Sequence, residues 1–188
     1  MKHNKKGFTL IELLAVVVIL GVLLLVAVPS MSGFIQNSKI KTYENNLKKI
    51  VDGVTLKVVS REDGYRFSKT QTLIVPFNCL DLENGSASNS PFGNYIVDSS
   101  FVAVTQDDRG YHYYVSALDN TGYGTILALS NDINIQKYNQ SDVATVLKSG
   151  SNYSLYYGVS TLSLPSTIKM VSCTVVGTTT SPITSSSS

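Results

Sequence analysis

The distribution of apolar residues divides the chain into two unlike parts. Residues 13–28 read LLAVVVILGVLLLVAV, without a charged or strongly polar side chain. Counting from Phe8 to Val28 gives 21 residues. A helix of that length is about 30 Å long, close to the thickness of the hydrocarbon core of a bilayer. The sequence therefore predicts one membrane-spanning helix over residues 8–28.

A different pattern follows Pro29, which lacks a backbone N–H and should weaken the helix locally. Apolar residues now recur at steps of three and four, which predicts an amphipathic helix over residues 29–60 with one face packed on a domain. The apolar face contains Ile40, Tyr43, Leu47, Ile50, Val51, Val54 and Val58. The opposite face carries Lys39, Lys41, Glu44, Asn45, Lys48, Lys49 and Asp52.

From residue 61 to residue 176 the sequence predicts a β-rich globular region, called the head below. Short β-branched and aromatic runs alternate there with Gly, Asn, Asp and Ser, as in strands joined by turns. The predicted strands are Leu73–Val75, Tyr95–Val97, Phe101–Thr105, Tyr111–Leu118, Thr125–Leu129, Tyr153–Val159 and Lys169–Val176. Turn residues at 107–110 and 119–122 predict an antiparallel meander through the middle three strands.

Two further segments complete the organisation. Ser141–Lys148 has a candidate N-cap at Ser141 and a glycine just beyond its end, which predicts a short helix. The tail, residues 177–188, is rich in Ser and Thr and has too little apolar area to offset the entropy of ordering, so we expect it to be flexible. The predicted fold class is α+β, with a long N-terminal helix packed on an antiparallel β-sheet head.

Charge fixes the orientation expected in a membrane. Lys2, Lys5 and Lys6 precede the apolar run, whereas residues 29–38 carry no charge, so the N-terminus should stay cytoplasmic. Removing these three lysines from the 15 basic residues leaves 12 against 13 acidic residues. This balance gives no support to nucleic-acid binding by a basic surface.

A cleavable secretory signal peptide is the obvious alternative to a membrane helix. The apolar run is longer than the ~7–15 residues usual for such a peptide. The small residue that looks cleavable, Gly7, also precedes the run instead of following it. Cleavage after Gly7 would leave the apolar helix in the mature protein, with a new amino group on Phe8.

Glu12 is an acid inside the predicted membrane helix. A charge at the centre of a membrane helix costs at least ~2.5–3.5 kcal/mol, so this carboxylate should have a partner. The nearby helix N-terminus lowers that cost. After cleavage, Glu12 of one subunit could neutralise the Phe8 amine of a neighbour, which would make such helices self-complementary in an apolar bundle.

The residues KKGFTLIELL, continuing AVVVILGVLLLVAVP, resemble the N-terminus of type IV pilins and of the pseudopilins of type II secretion and competence systems. The resemblance covers Lys5 to Pro29 and, less strictly, the helix to about residue 60. It implies cleavage after Gly7 by a membrane-embedded prepilin peptidase, N-methylation of Phe8, subunit registry through Glu12 and a helix break at Pro29. It also implies a head in which a helix lies across an antiparallel sheet.

Cys79 and Cys173 both lie in the region predicted to be outside the cytoplasm, where a disulfide persists. Bonded to each other, they would tie an early loop to the last strand. Many type IV pilins carry one disulfide near the C-terminus, usually closing a shorter loop. Two buried free thiols are the alternative.

Catalytic and metal-binding chemistry has few candidate residues. The chain has two histidines, His3 and His112, and cleavage after Gly7 would remove the first. There is no nucleophile-elbow, C-x-x-C, H-E-x-x-H or phosphate-binding glycine motif. The aspartates of the head lack the spacing of an EF-hand calcium loop. We therefore predict no enzyme activity, no cofactor and no metal site.

The functional hypothesis is a prepilin of a type IV pilus-like filament that serves surface adhesion or motility. Its expected partners are copies of itself, other pilins, the prepilin peptidase, the membrane and its assembly machinery. It should lie in the cell membrane before assembly and at the cell surface afterwards. One alternative is a pseudopilin acting in protein secretion or DNA uptake. The alternative outside this family is a single-pass membrane-anchored ectodomain for adhesion or sensing.

Overall fold

The computed structural model describes residues 8–80, 89–139, 145–149, 152–156 and 164–172. Within these ranges the side chains of residues 26–30, 145–149 and 152–156 are not described. The leader, residues 1–7, and the tail, residues 177–188, lie outside the described residues. The chain divides into an N-terminal unit, Met1–Lys41, and a C-terminal unit, Thr42–Ser188.

Helix α1 runs from Leu10 to Val59, 50 residues, and therefore covers both predicted helical halves. Its bounds continue past Pro29. Among the described residues, no helix has both the length and the apolar character that crossing a membrane requires.

The amphipathic face predicted for the end of α1 is confirmed. Tyr43, Leu47, Ile50, Val51, Val54 and Val58 are at most 3% exposed. The lysines on the opposite face are exposed. This division of the helix surface follows from the 3.6-residue period, which brings positions three and four apart onto one side. The buried stripe joins the core of the C-terminal unit.

The head contains a six-stranded sheet in the order β5-β4-β3-β2-β1-β8. Its strands are β1 Gln71–Pro76, β2 Phe101–Asp107, β3 Gly110–Leu118, β4 Tyr123–Leu129, β5 Gln136–Lys137 and β8 Thr167–Met170. Strands β6 Thr145–Ser149 and β7 Asn152–Tyr156 form a separate hairpin. Single 3-10 turns occupy Phe77–Cys79 and Val97–Ser99.

The predicted meander of β2, β3 and β4 is confirmed. Asp107 pairs with Gly110 at the first turn, and Gly122 N donates to Asp119 O at 3.0 Å in the second. Gly110 and Gly122 have φ of +135° and +87°, which glycine adopts without the steric cost of a side chain. The turns therefore start both hairpins where the sequence predicted, and the register between β3 and β4 then shifts between Val115 and Ala117.

The central strands are buried on both faces. Leu73, Ile74 and Val75 of β1 and Phe101 to Thr105 of β2 are all buried, as expected from the uninterrupted apolar runs. One apolar cluster on this sheet contains Ile74, Phe101, Ala103 and Leu127.

The sheet is mixed: one of its strand pairs is parallel, whereas the sequence predicted an antiparallel sheet. Strand β8 pairs with β1 in parallel, from Gln71 opposite Thr167 to Ile74 opposite Met170. The connection from β5 to β8 is long, running from Lys137 to Thr167, and a long connection allows the chain to return in either direction. The sequence around β8 carries no signal for that direction.

Two local predictions were wrong. Thr145–Ser149 is a strand paired with Asn152–Tyr156, not the end of a helix, while residues 141–144 lie outside the described residues. Thr145 and Val146 are β-branched, and a hairpin partner follows within three residues, so cross-strand pairing outweighed the capping signals. Tyr95–Val97 is not a strand either: Tyr95 makes an isolated bridge to Asp119, and Val97 opens a 3-10 turn.

The ends of two other predicted strands differ. The strand expected at 153–159 ends at Tyr156, and residues 157–159 are outside the described residues. The strand expected at 169–176 begins earlier, at Thr167, and ends at Met170. Residues 173–176 of that prediction lie outside the described residues.

Candidate functional site

The start of α1 is closed by a capping box between Thr9 and Glu12. Thr9 is the residue before the helix, and its backbone N–H and its hydroxyl both donate to Glu12 Oε2, at 2.9 and 2.8 Å. Glu12 N lies 3.4 Å from Thr9 Oγ1, which completes the reciprocal arrangement. The pattern Thr-x-x-Glu before an apolar run is the sequence signal for this box, and our sequence analysis missed it.

This cap fixes where the Glu12 carboxylate lies. Glu12 is the third residue of α1, not the fifth as a helix start at Phe8 would have made it. Both carboxylate hydrogen bonds among the described residues are accepted by Oε2, and none is accepted by Oε1. The side chain is exposed and held toward the N-terminal end of the helix.

The apolar side chains after the cap are exposed around the whole helix. Phe8 is 88% exposed, and every large apolar side chain described from Leu10 to Leu25 is at least 50% exposed. Met31, Phe34 and Ile35 continue this surface with exposed fractions of 61%, 75% and 50%. A monomeric soluble protein rarely exposes so extended an apolar surface, so this segment has the character of an interaction surface.

The other residues predicted for this site are placed as follows. Gly7 lies outside the described residues, directly before Phe8. Pro29 lies within α1. The predicted helix break at Pro29 concerns an assembled filament, and it stays a prediction.

The comparison that bears on this segment is with protein families. Residues 2–28 match the family model of the prokaryotic N-terminal methylation motif. The chain carries the type IV pilin and pseudopilin signature. No curated protein and no solved structure matches the chain.

The pilin-type signature covers the predicted processing and registry positions. Gly7, Phe8 and Glu12 lie inside the matched range, and Pro29 follows its last residue. The proteins that carry this signature are structural and not enzymatic. The signature supports a type IV pilin-like or pseudopilin protein, and it implies processing by a prepilin peptidase and assembly with other pilins.

In the head, Asp119 organises the turn between β3 and β4. It is 1% exposed, and Oδ1 accepts hydrogen bonds from Thr121 N, Thr121 Oγ1 and Tyr123 N at 2.9, 2.5 and 3.1 Å. Oδ2 accepts one from Ser90 Oγ at 2.6 Å. A buried carboxylate is tolerated because its oxygens are satisfied in this way. The sequence predicted a turn here but not the burial of its aspartate.

The loop before the 3-10 turn at Val97–Ser99 docks on the same aspartate. Ser90 N donates to Gly93 O at 2.7 Å, which forms the turn around Pro91 and Phe92. A side chain at Gly93 would overlap the Asn120 amide, so the close approach requires glycine. The result is a rigid corner that anchors the loop to the sheet.

Aromatic rings cover this corner. Phe92 stacks on Tyr123 with ring centroids 4.1 Å apart, and Tyr43 of α1 lies 5.5 Å from the Tyr95 ring. Tyr43 Oη donates to Tyr123 O at 3.2 Å. Burial raises the pKa of both Tyr43 and Tyr95, and nearby Asp119 adds to both shifts. The phenols therefore remain protonated.

The remaining chemical candidates of the sequence are dispersed. Cys79 Sγ lies 3.6 Å from Val171 O, while Cys173 is outside the described residues. His112 lies on β3 with its Nε2 3.0 Å from Asp107 Oδ2 in a partly exposed pair. No cluster of three His, Cys, Asp or Glu side chains suited to a metal ion occurs in the part of the chain that the structure describes.

Proposed function

We propose that this chain is a prepilin, the structural subunit of a type IV pilus-like filament. It is cut after Gly7, methylated on Phe8 and polymerised through residues 8–28 around a filament axis. The head forms the outer surface of the filament, which serves surface adhesion or motility. The match of residues 2–28 to the methylation motif carries this proposal.

The exposure of the N-terminal helix supports the polymerisation step. Apolar side chains from Phe8 to Leu25 are at least half exposed on every side of the helix. Such a surface is stable only in apolar surroundings, and equivalent helices packed around one axis provide these for one another through van der Waals contacts. The same surface suits a lipid environment before assembly, with Lys2, Lys5 and Lys6 on the cytoplasmic side.

Glu12 supplies the registry between subunits in this proposal. The cap with Thr9 holds the carboxylate at the N-terminal end of the helix and occupies Oε2. Oε1 then receives the methylated amine of Phe8 from a neighbouring subunit. Because an unpaired charge in apolar surroundings is costly, helices that slide out of this register lose the pairing and are disfavoured.

A disulfide between Cys79 and Cys173 is part of the same proposal. Parallel pairing of β8 with β1 brings Val171 N to Ile74 O at 2.9 Å, and Val171 O lies close to Cys79 Sγ. Cys173 is two residues further along the chain. Alkylation followed by intact mass measurement tests the bond: labelling of both cysteines only after reduction supports it, and labelling without reduction contradicts it.

The N-terminus of the cellular protein is the decisive measurement. Mass spectrometry of filaments sheared from the cell surface should detect N-methylated Phe8 as the first residue. Processed protein confined to the membrane fraction would favour a pseudopilin, because pseudopilins share the motif and stay in the envelope. Intact Met1 in both fractions would overturn the prepilin proposal and favour a membrane-anchored ectodomain.

A further inference from the structure

The C-terminal end of α1 has an unusual residue at its terminating position. Glu62 N donates to Lys57 O and Arg61 N donates to Val58 O, both at 3.1 Å, which together form a Schellman motif. Arg61 is the left-handed residue of this motif, with φ of +54°. Glycine is the usual residue there because a side chain is disfavoured at positive φ.

A strained position that keeps a long charged side chain suggests a use for that side chain. Arg61 is exposed, and its carbonyl oxygen accepts a hydrogen bond from Arg66 Nε at 3.1 Å. Lys169 Nζ donates in turn to Arg66 O. These contacts bring Arg61, Arg66 and Lys169 together. In both contacts the acceptor is a backbone carbonyl oxygen, so they do not neutralise the positive charges.

These arginines line a cleft of about 280 Å³. The other residues that line it include Tyr65, Phe67, Tyr111 and Gln106. Phe67 and Tyr111 lie 5.9 Å apart at an interplanar angle of 49°, so their faces form an apolar corner beside the guanidinium groups. Small-ligand sites usually measure about 300–1,000 Å³, so this cleft has room for one ring-sized group.

The acids next to the lining residues in the chain, Glu62 after Arg61 and Asp107 and Asp108 after Gln106, have cationic partners of their own. Glu62 pairs with Lys57 at 2.8 Å, Asp108 with Lys69 at 2.6 Å and Asp107 with His112 at 3.0 Å. Within the described residues, neither Arg61 nor Arg66 forms an ion pair. The cleft therefore offers two guanidinium groups for an anion, inside a rim that also carries carboxylates.

We propose that this cleft binds a saccharide residue that bears a carboxylate. Guanidinium groups bind carboxylates through paired, charge-assisted hydrogen bonds. The aromatic corner provides apolar surface for the face of a sugar ring, and Gln106 provides hydrogen bonds for a hydroxyl. The acidic rim and the small volume disfavour a polyanion such as a nucleic-acid strand, whose successive phosphates would meet the carboxylates.

The site lies entirely in the C-terminal unit and does not depend on filament assembly. It would give the proposed subunit a means of adhesion, yet it would exist equally in a pseudopilin or an anchored ectodomain. Binding to purified monomer therefore tests this proposal separately from the proposed function.

Titration calorimetry of the full chain in detergent micelles tests the site, with galacturonic acid, a single sugar ring with one carboxylate, as the probe. Binding by the wild type and its loss in Arg61→Gln and Arg66→Gln, by about tenfold or more in affinity, would support the proposal. Arg109→Gln, in the turn between β2 and β3, is the matched control and should bind like the wild type. Equal binding by all four proteins, or none by the wild type, would overturn the proposal.

Arg61→Gly separates a structural role from a binding role. Glycine suits the left-handed position, so the midpoint of thermal unfolding should stay the same or rise while affinity for the probe falls. Unchanged affinity in this variant would contradict the proposal. Neutral galactose and oligothymidylate are two further competitors. Neither should displace the probe, and displacement by oligothymidylate would favour a nucleic acid as the ligand in place of a saccharide.

Discussion

The N-terminal unit and the C-terminal unit use helical apolar residues in opposite ways. From Tyr43 to Val58 the apolar stripe of α1 is almost fully buried within its own chain, whereas from Phe8 to Leu25 no large apolar side chain is less than half exposed. The first arrangement stabilises the folded monomer. The second leaves its apolar area exposed in the monomer, so only contact with another molecule can bury it. In the proposed filament, one helix therefore serves both folding and assembly.

The largest expected effect is on processing of the N-terminal unit. Gly7→Val should leave uncleaved precursor in the membrane and abolish sheared filaments, because the peptidase site implied by the signature is lost and Phe8 never acquires a free amine. Intact mass measurement of the membrane fraction checks this. The head should be unaffected, so its thermal unfolding serves as the control. Normal processing of the variant would refute the cleavage site.

Glu12 provides the next test, and the capping box makes it sharper. Glu12→Gln keeps a side chain that can close the box with Thr9 but lacks the charge. We expect normal insertion and cleavage, with filament yield lower by about tenfold or more. Thr9→Val is the matched variant, since it removes the capping hydroxyl and keeps the carboxylate. Its yield should stay near that of the wild type, and a reversed order of the two variants would assign the role of Glu12 to capping alone.

The same substitution, leucine to alanine, at one buried and one exposed position compares the two apolar surfaces of α1 directly. Leu47→Ala should lower the free energy of unfolding by about 2–5 kcal/mol because Leu47 is fully buried. Leu24→Ala, at a position 60% exposed, should change it by less than about 0.5 kcal/mol. Since the chain has 11 tyrosines and no tryptophan, tyrosine fluorescence of the full chain in detergent reports on unfolding. If both variants lost the same free energy of unfolding, the contrast between a buried and an exposed apolar surface would be wrong.

Asp119 tests the polar corner of the head. Asp119→Ala should cost about 2–4 kcal/mol, because it removes a buried acceptor and leaves the donors of Thr121, Tyr123 and Ser90, in part-buried hydrogen bonds, without a partner. Asp98→Ala, at an exposed position in the 3-10 turn, is the control and should be close to neutral. Denaturant unfolding of both variants measures the difference. A neutral Asp119→Ala would mean that water replaces the carboxylate.

The smallest effect concerns pH. The His112 side chain and the backbone N–H groups of Arg109 and Gly110 stabilise the Asp107 carboxylate and lower its pKa from the usual value of 3.8. A lowered pKa in the folded state means that Asp107 stabilises the head above that value, and that this contribution is lost as the pH falls below it. Asp107→Asn should therefore destabilise the head slightly at neutral pH and not at all in strong acid. A stability difference that persists in strong acid would contradict this.

Much of the fold was predictable because its signals are local. The 3.6-residue period identified the buried stripe from Tyr43 to Val58, and the turn residues at 107–110 and 119–122 identified the meander. The helix predicted at 141–148 failed because capping signals at its ends competed with a hairpin partner farther along the chain. The strand predicted at Tyr95 failed because backbone contacts with Asp119 and its neighbours, 22 or more residues away, fix that segment.

For the candidate site, the sequence identified the residues, whereas the structure was needed for their geometry. The sequence alone determined the charged leader, the cleavage motif, the apolar run and the acid within it, because these depend on the order of residues and not on their contacts. Only the tertiary structure decided that Asp119 is buried and satisfied, that β8 is parallel to β1, and that Arg61 and Arg66 share a cleft. Each of these depends on groups brought together by helix termination or chain return, and neither leaves a period in the sequence.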